Sequence, residues 1–172
     1  MIELMILYIL SQAPTTMYGV LKSILRKFSP FTKPSFGTVK PALSRLENGG
    51  LLSSRKTMSD GGKPSIIYAI TDKGLVELRE KILGVNIQNP VQFMSNSRIQ
   101  IVCSEYLVSE DRLKLFDTIK RKAIYIKTDA EKKIENDSSH LNFYHRMILD
   151  NTICEYGNFI NLIEGFESGC NS

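Results

Sequence analysis

Residues 35–74, SFGTVKPALSRLENGGLLSSRKTMSDGGKPSIIYAITDKG, restrict the fold more than any other part of the chain. Ser35 is a natural N-cap, and Val39, Leu43 and Leu46 then recur at the spacing of one helix face. Asn48-Gly49-Gly50 is a C-terminal stop for that helix. Residues 51–57 and 65–70 read as two strands, and Asp60-Gly61-Gly62 between them as a hairpin turn. Thr71 can cap a further helix that reaches about residue 83. A helix followed by a basic hairpin has a specific use. The helix fits the major groove of B-DNA, while the hairpin beside it can reach the backbone or the minor groove.

The segment before it completes the unit. Residues 2–11 read as a helix that ends before Pro14, apolar most of the way round, as a helix buried among others should be. Thr15 or Thr16 can cap a second helix carrying Tyr18, Val20, Leu21, Ile24, Leu25 and Phe28 at helical spacing. Ser29-Pro30 and Lys33-Pro34 bracket a loop before Ser35. Pro41 lies well inside the third helix, where a missing N–H and a ring clash cost about 3 kcal/mol. Three helices, a hairpin and a fourth helix make a winged helix-turn-helix, so the fold class is mainly α with a two-stranded wing.

The N-terminal MIELMILYIL lacks the basic flank of a signal peptide, carries Glu3, and is too short to cross a bilayer. A soluble, cytoplasmic protein with no membrane contact is expected. Cys103, Cys154 and Cys170 form no CxxC pair, so neither a zinc knuckle nor a disulfide framework is indicated. The charge is uneven: residues 1–84 hold 12 Lys/Arg against 6 Asp/Glu, and residues 85–172 hold 10 against 12. Asymmetry on the scale of a domain points to a polyanionic partner for the first half.

Beyond Gly84 the pattern changes to long helices. A short helical stretch is expected over 91–107. A long helix then opens at Ser109-Glu110-Asp111, with Ser109 supplying the cap, and a last one covers about 139–166. Two long amphipathic helices in a hairpin cannot bury both faces on each other, so homodimerisation is the expected outlet. The expected interface residues are Phe116, Ile119, Tyr144, Ile148, Tyr156, Phe159 and Ile163. The division is therefore 1–84 for the winged helix and 85–172 for a helical dimerisation and effector arm.

Several dispersed features together resemble the PadR family of bacterial transcriptional regulators. Ala13-Pro14 followed by Tyr18 is similar to that family's first signature. Gly37-Thr38-Val39-Lys40-Pro41-Ala42-Leu43-Ser44-Arg45-Leu46-Glu47 resembles its recognition-helix pattern, G-T-hydrophobic-Y-P-A-L-x-R-L-E. Gly61-Gly62-Lys63-Pro64, Tyr68, Thr71 and Gly74 match the wing and the start of the next helix. The resemblance covers residues 2 to about 83 and accounts for Pro41, which the family tolerates. Lys40 stands where the pattern has tyrosine, offering a phosphate contact in place of an aromatic one, and Met17 replaces the small residue before Tyr18.

The resemblance implies a regulator, most simply a repressor, that binds double-stranded DNA as a homodimer. Its operator would be pseudo-palindromic, with half-sites ~34 Å apart. Candidate DNA contacts are Tyr18, Lys33, Ser35, Phe36, Thr38, Lys40 and Arg45 around the third helix, and Arg55, Lys56 and Lys63 on the wing. The wing cations should mostly touch phosphates, which position a protein without reading sequence. Phe93, Met94, Tyr106, Phe116, Tyr144, Tyr156 and Phe159 are candidates for an effector pocket, although their helical spacing favours core or interface. His140 and His145 are not at the one-face spacing of a metal pair, and no nucleophile–base, paired-carboxylate or phosphate-loop motif is present. No metal, cofactor or catalytic residue is therefore assigned. The rival readings are a winged-helix adaptor that binds protein instead of DNA, and an enzyme with its site in the arm.

Overall fold

The computed structural model describes residues 1–58, 62, 64–85, 89–137 and 139–170, the side chains at 90, 91 and 170 excepted. The elements are α1 (Ile2–Gln12), β1 (Thr15–Thr16), α2 (Met17–Phe28), α3 (Phe36–Asn48), β2 (Leu52–Met58), β3 (Pro64–Ile70) and α4 (Asp72–Leu83). They are followed by α5 (Pro90–Cys103), a 3-10 turn (Ser104–Tyr106), α6 (Ser109–Asn136) and α7 (Phe143–Cys170). The chain forms two compact units, Met1–Gly84 with Val91–Leu107, and Val85–Pro90 with Val108–Ser172. Residues 91–107, C-terminal to the expected division at residue 84, thus cluster with the first unit.

The first unit is a winged helix-turn-helix built around α1. Every residue from Leu4 to Leu10 is buried, because α1 packs against α2, α3, α4 and β3. The stripes that face it are Val20, Leu21, Ile24 and Phe28 on α2, and Val39, Ala42, Leu43 and Leu46 on α3. Leu25, expected on the apolar side of α2, sits at its exposed edge. Burying each large aliphatic side chain is worth roughly 1.5–3 kcal/mol, so this cluster holds the unit together.

Local chemistry sets where each element stops. The Thr16 hydroxyl accepts the Gly19 N–H at 3.2 Å, starting α2, and the Thr71 hydroxyl accepts the Gly74 N–H at 3.1 Å, starting α4. Helix α3 ends in a Schellman motif: Leu51 N–H donates to Leu46 O and Gly50 N–H to Glu47 O, both at 2.9 Å, with Gly50 at φ +70°. Thr71 also donates to Gly50 O at 2.8 Å, joining the end of α3 to the start of α4. Gly74 is required by proximity, since a Cβ there would stand 2.2 Å from the Leu51 carbonyl oxygen.

The sheet is antiparallel, ordered β1-β3-β2, with Arg55 opposite Ile67, Lys56 opposite Ile66, and Thr15 opposite Tyr68. The wing is therefore the two-stranded hairpin that was expected, with a third strand of two residues beside it. Such a strand is too short to show alternation in the sequence; it exists because β3 offers it an open edge. The expected turn residues Asp60 and Gly61 lie outside the described residues, and Gly62 has φ +69°.

Polar contacts attach α5 to the rest of the first unit. Buried Gln100 donates to Ile82 O at 2.9 Å and Gly84 O at 3.2 Å, capping the end of α4. Tyr8 donates its hydroxyl to Glu105, which also accepts from Gln12 at 2.9 Å. Burial, followed by that hydrogen bond and the Glu105 charge, pushes the Tyr8 phenol far up, so it remains a donor.

In the second unit α6 and α7, each of 28 residues, form a helical hairpin. Ser109 is the first residue of α6 rather than its cap, while Glu110 and Asp111 sit in the first turn, where they suit the helix dipole. Helix α7 starts at Phe143, later than the expected residue 139, because the Asn142 side chain accepts the His145 N–H at 2.9 Å and so fixes the start. Phe116, Ile119, Tyr156, Phe159 and Ile163, expected at a dimer interface, are instead buried within the single chain. The Phe116 ring, for example, packs 5.9 Å from that of Phe166. Tyr144 and Ile148 are exposed, at 78% and 66%.

Candidate nucleic-acid interface

Helix α3 presents its outer side to solvent. Phe36, Gly37, Thr38, Lys40, Pro41, Ser44, Arg45 and Asn48 are all exposed, which follows from the inward stripe of the same helix. At its start, Ser35 occupies the cap position without bonding an amide; its Oγ lies 3.4 Å from Thr38 Oγ1. The phenyl ring of Phe36, 46% exposed, stacks on the ring of Tyr18 from the first turn of α2. Their centroids are 6.3 Å apart and their planes 21° from parallel. Tyr18 is 65% exposed, so both rings remain open on their outer sides. Lys33 is exposed in the loop before α3. Tyr18, Ser35, Phe36, Thr38 and Lys40 thus share the region around the start of α3.

Arg45 is engaged differently. Its Nε donates to Glu3 Oε1 of α1 at 3.0 Å, and Glu3 Oε2 lies 3.5 Å from Lys81 Nζ, which in turn is 2.9 Å from Glu77. This chain of charges joins α3 to α1 and α4. Lys81 is partly buried, which on its own would lower its pKa, but its bonds to Glu77 and Glu3 outweigh that and raise it. No pattern in the sequence links Glu3 to Arg45, 42 residues away.

On the wing, neighbouring residues of a strand face opposite sides. Leu52, Ser54, Lys56 and Met58 share one face of β2, opposite Ile70, Tyr68, Ile66 and Pro64, while Ser53, Arg55 and Thr57 share the other. Ser54 donates to Glu47 of α3, which identifies the first of these as the face turned to α3. Burial, then the Glu47 charge, raises the Tyr68 phenol on that same face. Lys56 therefore stands on the side of α3 and Arg55 on the reverse, both exposed. Lys63 lies outside the described residues.

The residues considered for an effector pocket divide between the units: Phe93, Met94 and Tyr106 in the first, Phe116, Tyr144, Tyr156 and Phe159 in the second. Phe93 and Met94 are buried core residues, and Tyr106 is exposed. Among the described residues, no helix is long and apolar enough to cross a membrane.

Residues 6–80 match the model of the Transcriptional regulator PadR-like family. Among solved structures, a PadR-like transcriptional regulator from Bacillus cereus is similar at 35% identity, over 45% of this chain and 74% of that one, with a TM-score of 0.40. Bacillus subtilis PadR in complex with operator DNA is similar at 17% identity over 98% of both chains, TM-score 0.46. The same protein in complex with p-coumaric acid is similar at 16% identity, over 99% of this chain and 95% of that one, TM-score 0.42. No curated protein matches the chain.

Proposed function

The chain belongs to the PadR-like family of transcriptional regulators, and from that premise we propose that it is a sequence-specific DNA-binding repressor acting as a homodimer. The observation that carries this reading is the grouping of exposed Tyr18, Phe36, Thr38 and Lys40 around the start of α3, with Lys56 on the wing face turned to that helix. In this reading α3 enters a major groove. Tyr18, Lys33, Lys40, Arg55 and Lys56 meet phosphates on either side of it, and Lys63 extends the wing's set of cations. Arg45 holds α3 against α1 through the bond from its Nε to Glu3, and its side chain, 59% exposed, turns its other guanidinium N–H groups to DNA.

The two copies join through the exposed first half of α7, where Phe143, Tyr144, Met147 and Ile148 make an apolar patch on one chain. Two-fold symmetry then sets a pseudo-palindromic operator with half-sites ~34 Å apart. Bacillus subtilis PadR has been solved with p-coumaric acid, and a small-molecule effector is proposed here as well. It would act by changing the separation of the two α3 helices. Regulation of this kind needs no chemistry at the site, in keeping with a family of regulators rather than enzymes.

The test is binding to a genomic fragment spanning the chain's own promoter, beside a random duplex, at two salt concentrations. The expected result is preference for the promoter fragment, with affinity falling as salt rises by a log–log slope of about −0.9 per phosphate neutralised. Absence of binding at low salt would overturn the reading and favour the adaptor.

A further inference from the structure

Within α3 the large apolar residues Val39, Leu43 and Leu46 are buried, while Phe36 is exposed at the helix start. Its ring is not loose, because Tyr18 stacks against it and braces it from the side of α2. Nearby Ser35, Gly37, Thr38 and Lys40 are all exposed and supply no apolar cover. A rigid phenyl group is thus presented beside the polar residues of the proposed groove helix.

A phenyl ring has no hydrogen-bond donor or acceptor, so it cannot use the polar base edges that line a major groove. Those edges carry one apolar group, the C5-methyl of thymine. We infer that Phe36 is a specificity residue that packs its ring on a thymine methyl in each half-site. This inference rests on the DNA-binding reading above and narrows it to a base. Phosphate contacts by Lys33, Lys40 and Lys56 would hold the duplex in place without distinguishing sequences.

Uracil differs from thymine only by that methyl group, so the test can be made on the DNA while the protein stays unchanged. A random-sequence duplex pool is enriched on the full chain, and the enriched duplex is remade with each thymine in turn replaced by uracil. Binding is measured for the wild type, Phe36→Ala and Phe36→Leu. At one thymine position per half-site, the wild type should lose about fourfold in affinity, the value of one methyl group. Phe36→Ala should bind the thymine and uracil duplexes of that position alike, while Phe36→Leu keeps part of the discrimination. Indifference of the wild type to every replacement would overturn the inference, as would an equal loss in wild type and Phe36→Ala. Failure of the wild type to enrich any duplex would instead remove the DNA-binding reading itself.

Discussion

Glu3 is held between Arg45 and Lys81 at the start of α1. Burial by itself raises a carboxyl pKa; here the hydrogen bond from Arg45 and the charges of Lys81 and Arg45 outweigh it, so the Glu3 carboxyl lies below its usual value. A carboxyl with a lowered folded pKa adds stability above its unfolded pKa, and that stability is lost as pH falls through the folded value. Glu3→Gln should therefore lower the melting temperature at neutral pH, by an amount worth about 1 kcal/mol or less for so open a pair. The difference from wild type should close below about pH 4, which melting curves across pH would show. Cysteine reactivity should be equally local. Burial pushes the Cys103 thiol far up, the Glu105 charge adds to this and Lys27 opposes it, whereas Cys154 is exposed. Since the thiolate is the reactive form, iodoacetamide should label Cys154 in the native protein and Cys103 only after denaturation, as peptide mass mapping would report. Labelling of Cys103 as fast as Cys154 would contradict the packing around α1 and α5.

At the scale of elements, α3 carries an internal contradiction in Pro41, which is exposed and removes the N–H that would reach Gly37 O. Because the residue is exposed and not part of the buried stripe, Pro41→Ala should raise stability by about 1–3 kcal/mol in chemical denaturation, with the m-value unchanged. An unchanged midpoint would mean that the proline ring makes a stabilising contact. The inward stripe Val39, Leu43 and Leu46, the Gly49-Gly50 stop and the Thr71 cap are legible in the sequence because each depends on residues within a turn or two. The two-residue β1 is not, since it depends on the edge of β3, some fifty positions later in the chain. The same limit applies to the arm. The spacing of Phe116, Ile119, Tyr156, Phe159 and Ile163 reveals that a face is covered, without revealing whether a neighbouring helix or a second chain covers it. Around α3, exposure of Lys40 follows from periodicity, while the exposure of Tyr18, which spacing groups with the apolar stripe of α2, that of Phe36, and the capture of Arg45 by Glu3 need the folded chain.

For the whole molecule, the proposed assembly couples apolar contact in the arm to charge in the winged helix. The +6 balance of residues 1–84 attracts a polyanion, and two such domains joined as a dimer neutralise twice the number of phosphates. Replacing Tyr144 and Ile148 together with Asp places charge on the exposed apolar patch of α7 without disturbing the buried stripe. The double variant should sediment as a monomer and keep its helical content. It should also lose most operator affinity and show a log–log salt slope about half that of wild type. A variant that still dimerises would remove this patch from the interface.

The alternating faces of the wing have a consequence for inheritance. Because Arg55 and Lys56 point to opposite sides of β2, exchanging either for another cation leaves the pattern of the hairpin intact. Adding or removing a single codon upstream of Arg55 within the strand would turn every later side chain over and carry Arg55 toward α3. Lineages descended from such a sequence should accordingly exchange Lys and Arg at the two wing positions, and change the length of β2 in steps of two.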